Sequence, residues 1–318
     1  MATEGSQRDT LVTNLLELMP QDGSYEVVSG LHVHRISQVN TPVYSMPKPA
    51  FCVIAQGRKE VHSGKHVYTY DPDSYLVSGV NLPVTSQNVE ASIERPYLSL
   101  RMELDPTVIA AVILEIGDRA ATLPPSVPGL DVGPFDANMR DAVIRLVQLA
   151  RDAKHINFLI PLVQKEIIYR LLTGEHGALL QHLSLEAGSG NGIAQAIELL
   201  QREYDQPLQI EQMAQRVGMS TSRFHHQFKI VTKMSPLQFQ KQLRLQEARR
   251  LMFAEDFDAT SAGFQVGYRN LSQFNREYKR QFGEPPIRDM ERLRLTPGIL
   301  EEYDLRPLYA MNSPSGTR

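Results

Sequence analysis

The feature that most constrains the fold is a phrase written twice. "QRVGMSTSRFHHQFKIVTKMSP" occupies residues 215–236, and "GFQVGYRNLSQFNREYKRQFGEPP" occupies residues 263–286. Phe224, Phe228, Lys229 and Pro236 return as Phe274, Tyr278, Lys279 and Pro286, each 50 positions later. Val217-Gly218 returns as Val266-Gly267 after 49, so the second copy holds one extra residue in its turn. Each phrase contains or follows a short helical stretch, 209–218 and 259–267, and two short helices around a Gly-containing turn make a helix-turn-helix. Phe224, Phe228 and Val231 form one apolar stripe, with Ser222, His226, Lys229 and Lys233 on the opposite face. In the second copy Phe274 and Tyr278 mark the core side. Ser272, Arg276 and Lys279 point outward, flanked by Asn275 and Arg280. Such faces suit a major groove, where Arg binds guanine bidentately and Ser or Asn reaches base edges or phosphates. A single basic helix face is ordinarily just solvated. Two copies in register, each with its own Gly turn, argue against that bland reading. The candidate DNA-binding residues are therefore Ser222, Arg223, His225, His226, Lys229, Lys233, Asn270, Ser272, Gln273, Asn275, Arg276, Lys279 and Arg280. No third ligand accompanies the His225–His226 pair, so a metal site is not read there.

Charge is distributed to match. The chain of 318 residues has a formal net charge of −3. Residues 193–292 hold 15 basic and 12 acidic side chains, net +3, which leaves −6 for the rest. Between Arg216 and Arg250 eight basic residues stand against Glu247 alone, about +7. One half of the chain thus has the balance expected of a polyanion partner.

Upstream, residues 25–104 read as short strands rich in Val, Ile and Tyr, separated by Gly-Arg-Lys, Ser-Gly-Lys and Asp-Pro-Asp-Ser turns, as in a small sandwich or barrel. From Pro106 the period becomes helical, through 137–151 and 157–174, with Gly174 and Gly177 as stop signals. "EAGSGNG", 186–192, is the best linker. The tail, with "TPG" and "NSPSGTR", carries no pattern. Cys52 is the only cysteine, in an apolar strand, so a buried inert thiol in a reducing compartment is expected. With no signal peptide and no apolar run long enough for a bilayer, a cytoplasmic protein without membrane contact is expected.

Residues 193–292 resemble the DNA-binding domain of the AraC/XylS family of bacterial transcription regulators. The match at "VGYRNLSQFNREYKRQFGEPPIRDM" is highly specific, and "SPLQFQKQLRLQEARRLM", 235–252, resembles the family's long central helix. "FCVIAQGRKEV", "SYLVSGVNLPVTSQ" and "EIIYRLLTGEHG" resemble the cupin-like N-terminal domain of one branch. The resemblance implies an α+β multidomain chain: a cupin-like β-barrel with a helical dimerisation segment (1–186), a linker (187–192), a seven-helix all-α domain with two helix-turn-helix units (193–292), and a tail (293–318). It implies a sequence-specific transcription regulator. The partners expected are promoter or operator DNA, a second copy of the chain, a small-molecule effector or other signal, and RNA polymerase. One departure is that Ser222 and His226 stand where an arginine or a bulkier side chain is common, which argues for positioning over direct readout by the first recognition helix.

The competing reading is a metal-dependent cupin enzyme. His32 and His34 in "LHVH" share a strand face, but Arg35-Ile36-Ser37-Gln38 supplies no carboxylate, and His62 and His66 are separated by a turn. No catalytic residue, metal ligand or cofactor is assigned, and no enzymatic activity is expected. In 137–151, Met139, Val143, Leu146, Val147 and Ala150 form an apolar stripe. Leu146 and Val147 are taken as dimerisation residues, against the simpler reading that the helix merely covers the barrel.

Overall fold

The computed structural model describes residues 4–117, 124, 126–151, 156–186 and 192–294. The chain divides into two compact units. The first runs to Asn191 without Tyr44–Met46; the second comprises that segment and the chain from Gly192.

The first unit is built on two antiparallel sheets. Its elements are α1 (Glu4–Leu18), β1 (Gly23–Val28), β2 (Leu31–Ile36), β3 (Val43–Ser45), β4 (Ala50–Gln56), β5 (Arg58–Ser63), β6 (His66–Tyr70), β7 (Ser74–Ser78), β8 (Val84–Glu90) and β9 (Tyr97–Glu103). They are followed by α2 (Pro106–Ile116), β10 (Leu130–Pro134), α3 (Ala137–Ala150), α4 (Ile156–Thr173) and α5 (Gly177–Glu186). The sheets run β1-β2-β9-β4-β7-β10 and β3-β8-β5-β6. Gly57 is the corner where the chain passes from one sheet to the other. Its φ is +93°, and a Cβ there would stand 2.5 Å from the Glu90 carbonyl oxygen, so glycine is required.

Alternation along the strands sends Leu31, Val33, Phe51, Val53, Val77, Leu98, Leu100 and Met102 to one face. These join Leu11, Leu15, Ile109, Met139, Val143, Ile167 and Leu171 of the helices in a single core. Asp105 caps α2, its Oδ1 accepting from the Thr107 N–H at 2.7 Å with Pro106 behind it; Asp136 caps α3 in the same way.

The sequence reading missed three elements, α1, β10 and α5. Gly177, expected as a stop signal, opens α5 instead. Leu146 and Val147 are also corrected: both are completely buried in the unit's own core and unavailable to a partner. Their stripe packs into that core, where α3 lies against α1 and α4. Among the described residues no helix is long and apolar enough to cross a membrane.

The second unit has seven helices among the described residues: α6 (Gly192–Arg202), α7 (Ile210–Arg216), α8 (Thr221–Thr232), α9 (Pro236–Ala254), α10 (Ala259–Gln265), α11 (Leu271–Phe282) and α12 (Pro286–Arg294). Of the expected linker, 187–191 lies outside the described residues, and Gly192 opens α6. The expected tail begins inside α12, and 295–318 lies outside the described residues.

Candidate nucleic-acid interface

The two phrases fold into matching hardware. After α7, Gly218 takes φ +67° and the Met219 N–H reaches back to the Ala214 carbonyl at 2.9 Å; after α10, Gly267 takes φ +87° and the Tyr268 N–H reaches Gly263 at 3.0 Å. These five-residue back-bonds satisfy carbonyls that the helix ends would leave open. Gly267 is also pinned by space, since a Cβ would lie 2.1 Å from the Asp205 carbonyl oxygen. Ser220 caps α8 and Asn270 caps α11, each side chain accepting from the N–H three residues on. At the far ends Lys233 (φ +59°) and Gly283 (φ +84°), again 50 positions apart, take left-handed turns bonded to the carbonyls of Lys229 and Lys279. Pro236 and Pro286 then start the next helices.

Phe224, Phe228, Phe274 and Tyr278 have no exposed surface. Phe228 packs edge-on to Phe239 of α9, ring centres 5.4 Å apart. Fifty positions later the pair becomes Tyr278 and Asp289, and the ring contact is replaced by a hydrogen bond from the Tyr278 hydroxyl at 2.8 Å. Asp289, wholly buried, also accepts from Arg249 Nε at 2.7 Å and Nη2 at 2.9 Å. Burial pushes the Asp289 carboxyl up, but these bonds prevail and hold it below the usual range. The position equivalent to Arg249 is Leu199, also buried. One repeat closes its core with hydrocarbon, the other with an ion pair.

The outward faces follow the expected pattern with three qualifications. Ser222, Arg223, His225, His226 and Lys229 are exposed on α8, and Ser272, Asn275, Arg276, Lys279 and Arg280 on α11. Asn270, however, spends its side-chain oxygen on capping. Gln273 donates to Glu277 Oε1 at 3.2 Å and is only half-exposed. Lys233 lies beyond the last turn of α8 and is half-buried. The Glu277 carboxylate, which also takes Lys241 at 2.9 Å and the Tyr268 hydroxyl at 2.9 Å, is held below the usual range despite burial.

The local charge near +7 is partly neutralised within the unit. Arg216 pairs with Glu203 at 2.8 Å, Lys241 with Glu277, Arg249 with Asp289, and Arg250 with Glu247 and Glu255 at 2.8 Å. Arg244 is spent on the main-chain carbonyls of Tyr204, Asp205, Gln206 and Gly267. Arg223, Lys229 and Lys233 remain without an ion pair among the described residues, as do Arg276, Lys279 and Arg280 on the second copy. Sequence reasoning passed over Arg269 and Arg288, which are exposed and equally unpaired among the described residues. Arg269, directly before the cap of α11, could have been found from its place in the turn.

In the first unit, His32 Nε2 lies 3.9 Å from Glu26 and 3.8 Å from Glu103, while His62 pairs with Glu60 at 3.5 Å on an exposed face. Among the described residues no cluster of His, Cys, Asp and Glu is arranged to hold a metal.

Comparison with known proteins fits both units. Residues 27–179 match the family model described as AraC-type transcriptional regulator N-terminus, and residues 213–292 match that of a helix-turn-helix domain. The chain belongs to the AraC family of transcriptional regulators. It is similar to the HTH-type transcriptional activator RhaS of Yersinia pestis (strain Pestoides F), 28% identical over 92 residues, 29% of this chain and 34% of that protein. It is also similar to the HTH-type transcriptional regulator CdhR of Pseudomonas aeruginosa, 26% identical over 101 residues, 32% of this chain and 30% of that protein. The matches thus span about a third of the length of these curated relatives. Among solved structures, ToxT from Vibrio cholerae O395 bound to (E)-4-(8-methylnaphthalen-1-yl)but-3-enoic acid has the same fold. The TM-score is 0.52 at 11% identity, covering 82% of this chain and 97% of that one.

Proposed function

We propose that the protein is a sequence-specific DNA-binding transcription regulator that acts as a homodimer and whose first unit senses a small molecule or receives another signal. The observation that carries this reading is the pair of equivalent helices, α8 and α11, each with a buried aromatic stripe and cations that no carboxylate of the described chain neutralises. Arg276, Asn275 and Ser272 are the proposed base readers. Arg223, Lys229, Lys233, Lys279 and Arg280 are the proposed phosphate contacts, with Ser222, His225 and His226 positioning α8. Asn270 and Gln273 serve this face through the cap and the Glu277 carboxylate. RNA polymerase is the further partner in this reading.

The second copy would dock on the exposed apolar side chains Phe158, Leu162 and Tyr169 of α4 with Leu114 of α2, which are 74%, 52%, 43% and 83% exposed. They adjoin a groove in which Val112, Ile116, Leu162 and Tyr169 alternate with the charged Glu115, Lys165 and Glu166.

The test is a salt titration of the full chain on genomic fragments. The five proposed phosphate contacts would give a slope of about −4.5 per protomer in log K against log salt, at roughly 0.9 per phosphate, or on the order of 500-fold between 50 and 200 mM. A flat response, or no shift on any fragment, refutes the proposal.

A further inference from the structure

Counterparts in the two repeats need not agree even inside the core, where Phe239 answers to Asp289 and Leu199 to Arg249. On the surface, from Ser220 to Gln238 and 50 positions later, agreement is rarer still. The positions exposed in both copies that keep the same residue, or exchange one aliphatic for another, are Ser222 with Ser272, Lys229 with Lys279, and Leu237 with Ile287. The first two pairs lie on the outward faces of α8 and α11. The third is apolar: Leu237 is 52% exposed and Ile287 69%. One exposed aliphatic side chain on a protein surface needs no explanation. The same feature in both copies, directly after Pro236 and Pro286 in the first turns of α9 and α12, does.

The surroundings continue the proposed DNA face. α9 leaves α8 through the left-handed turn at Lys233. Lys241, one turn beyond Leu237 on the same side of α9, reaches Glu277 of α11 at 2.9 Å. Leu237 therefore stands between the two outward-facing helices. Lys229 and Lys233 precede it, with no acid between Lys229 and Gln238. Lys279, Arg280 and Arg288 flank Ile287, with Glu284 the one acid between Lys279 and Arg288. None of these five cations has an ion pair among the described residues. A duplex backbone matches such a pattern, since phosphate oxygens alternate along it with the hydrocarbon edges of deoxyribose. Contacts of both kinds position a protein without reading sequence.

We propose that Leu237 and Ile287 pack on deoxyribose carbons of the backbone bordering the grooves that α8 and α11 face, while the neighbouring cations take the flanking phosphates. This deepens, and rests on, the reading of the chain as a DNA-binding regulator. An apolar contact releases no counterion, so it adds affinity that salt does not screen, and adds it equally on every sequence.

The two kinds of contact separate in salt titrations of the full-length protein on one selected DNA site and on an unrelated duplex. Leu237→Ser and Ile287→Ser should each weaken binding about 3- to 10-fold, in keeping with the half or more of each side chain that is exposed. The loss should be equal on both duplexes and at every salt concentration, with the slope unchanged. Lys229→Gln should instead flatten the slope by about 0.9. Leu237→Lys sets a new cation beside the phosphates and should steepen it by about 0.9. Thermal melting checks that each variant is folded. Ile93→Ser, which removes a 74% exposed isoleucine of the first unit, should change neither affinity nor slope. Unchanged affinity in both serine variants, a loss confined to the selected site, or an unaltered slope in Leu237→Lys overturns the proposal. So does a serine variant that binds DNA as the wild type does yet fails in transcription, which would assign these residues to a protein partner. A wild-type shift without these effects overturns this contact alone, whereas no wild-type shift on any duplex overturns the regulator reading with it.

Discussion

Replacing Arg249 by leucine strips a fully buried carboxylate of its bidentate partner. Asp289 has no exposed surface, and two of its bonds, at 2.7 and 2.9 Å, come from Arg249. Breaking a buried pair from one side typically costs about 3–5 kcal/mol. Tyr278, at 2.8 Å, and Arg292 still reach the carboxylate, so the expected cost is the lower figure, about 3 kcal/mol. Without Arg249 the carboxyl loses the strongest influence holding it below the usual range, while burial still pushes it up. The cost is therefore present at neutral pH and shrinks as acid neutralises the group. The first repeat supplies the rescue: Arg249→Leu with Tyr278→Phe and Asp289→Phe imports the apolar set of Leu199, Phe228 and Phe239. Hydrogen exchange of the α9, α11 and α12 amides reads the local stability. The triple variant should recover most of the loss. A cost below about 1 kcal/mol for Arg249→Leu, or one that grows on acidification, would refute this account.

Arg276→Ala should weaken binding to a selected site by about 1–3 kcal/mol and relax preference at one base position, while His226→Ala costs less; base selection on the variants decides. Burial lowers the His34 pKa to about 3, so between pH 6.5 and 3 the unfolded chain binds the proton and the folded chain does not. Stability must then fall with pH in that window, by about 2 kcal/mol at pH 5 from this group, and His34→Gln should flatten a thermal-melting profile there. Leu146→Asp should destroy the fold of the first unit, whereas Phe158→Ser with Leu162→Ser should leave it folded and turn a dimer into a monomer by light scattering.

The second unit was legible because a repeat fixes phase. Two copies 50 residues apart place the glycine turns, the aromatic stripes and the outward faces at once, and a single amphipathic helix could not. What sequence could not show was which charges are already neutralised: Lys241 and Glu277, or Arg249 and Asp289, are 36 and 40 positions apart and meet only in the fold. Leu146 and Val147 illustrate the same limit, since periodicity shows that a face is covered but not by what. β10 escaped notice because "LDVGP" carries Gly and Pro, which mark breaks elsewhere, and its ladder to β7 is set by tertiary pairing.

The central claim, that one chain sets both α8 and α11 on a DNA duplex, α11 reading bases and α8 positioning it, is tested most directly by hydroxyl-radical footprinting of the wild-type protein and Arg276→Ala on one selected DNA site. The account predicts two protected patches per protomer on one side of the duplex, about 10 base pairs apart, with the variant losing protection mainly in one of them. A single patch per protomer, or two patches that weaken equally in Arg276→Ala, would contradict it.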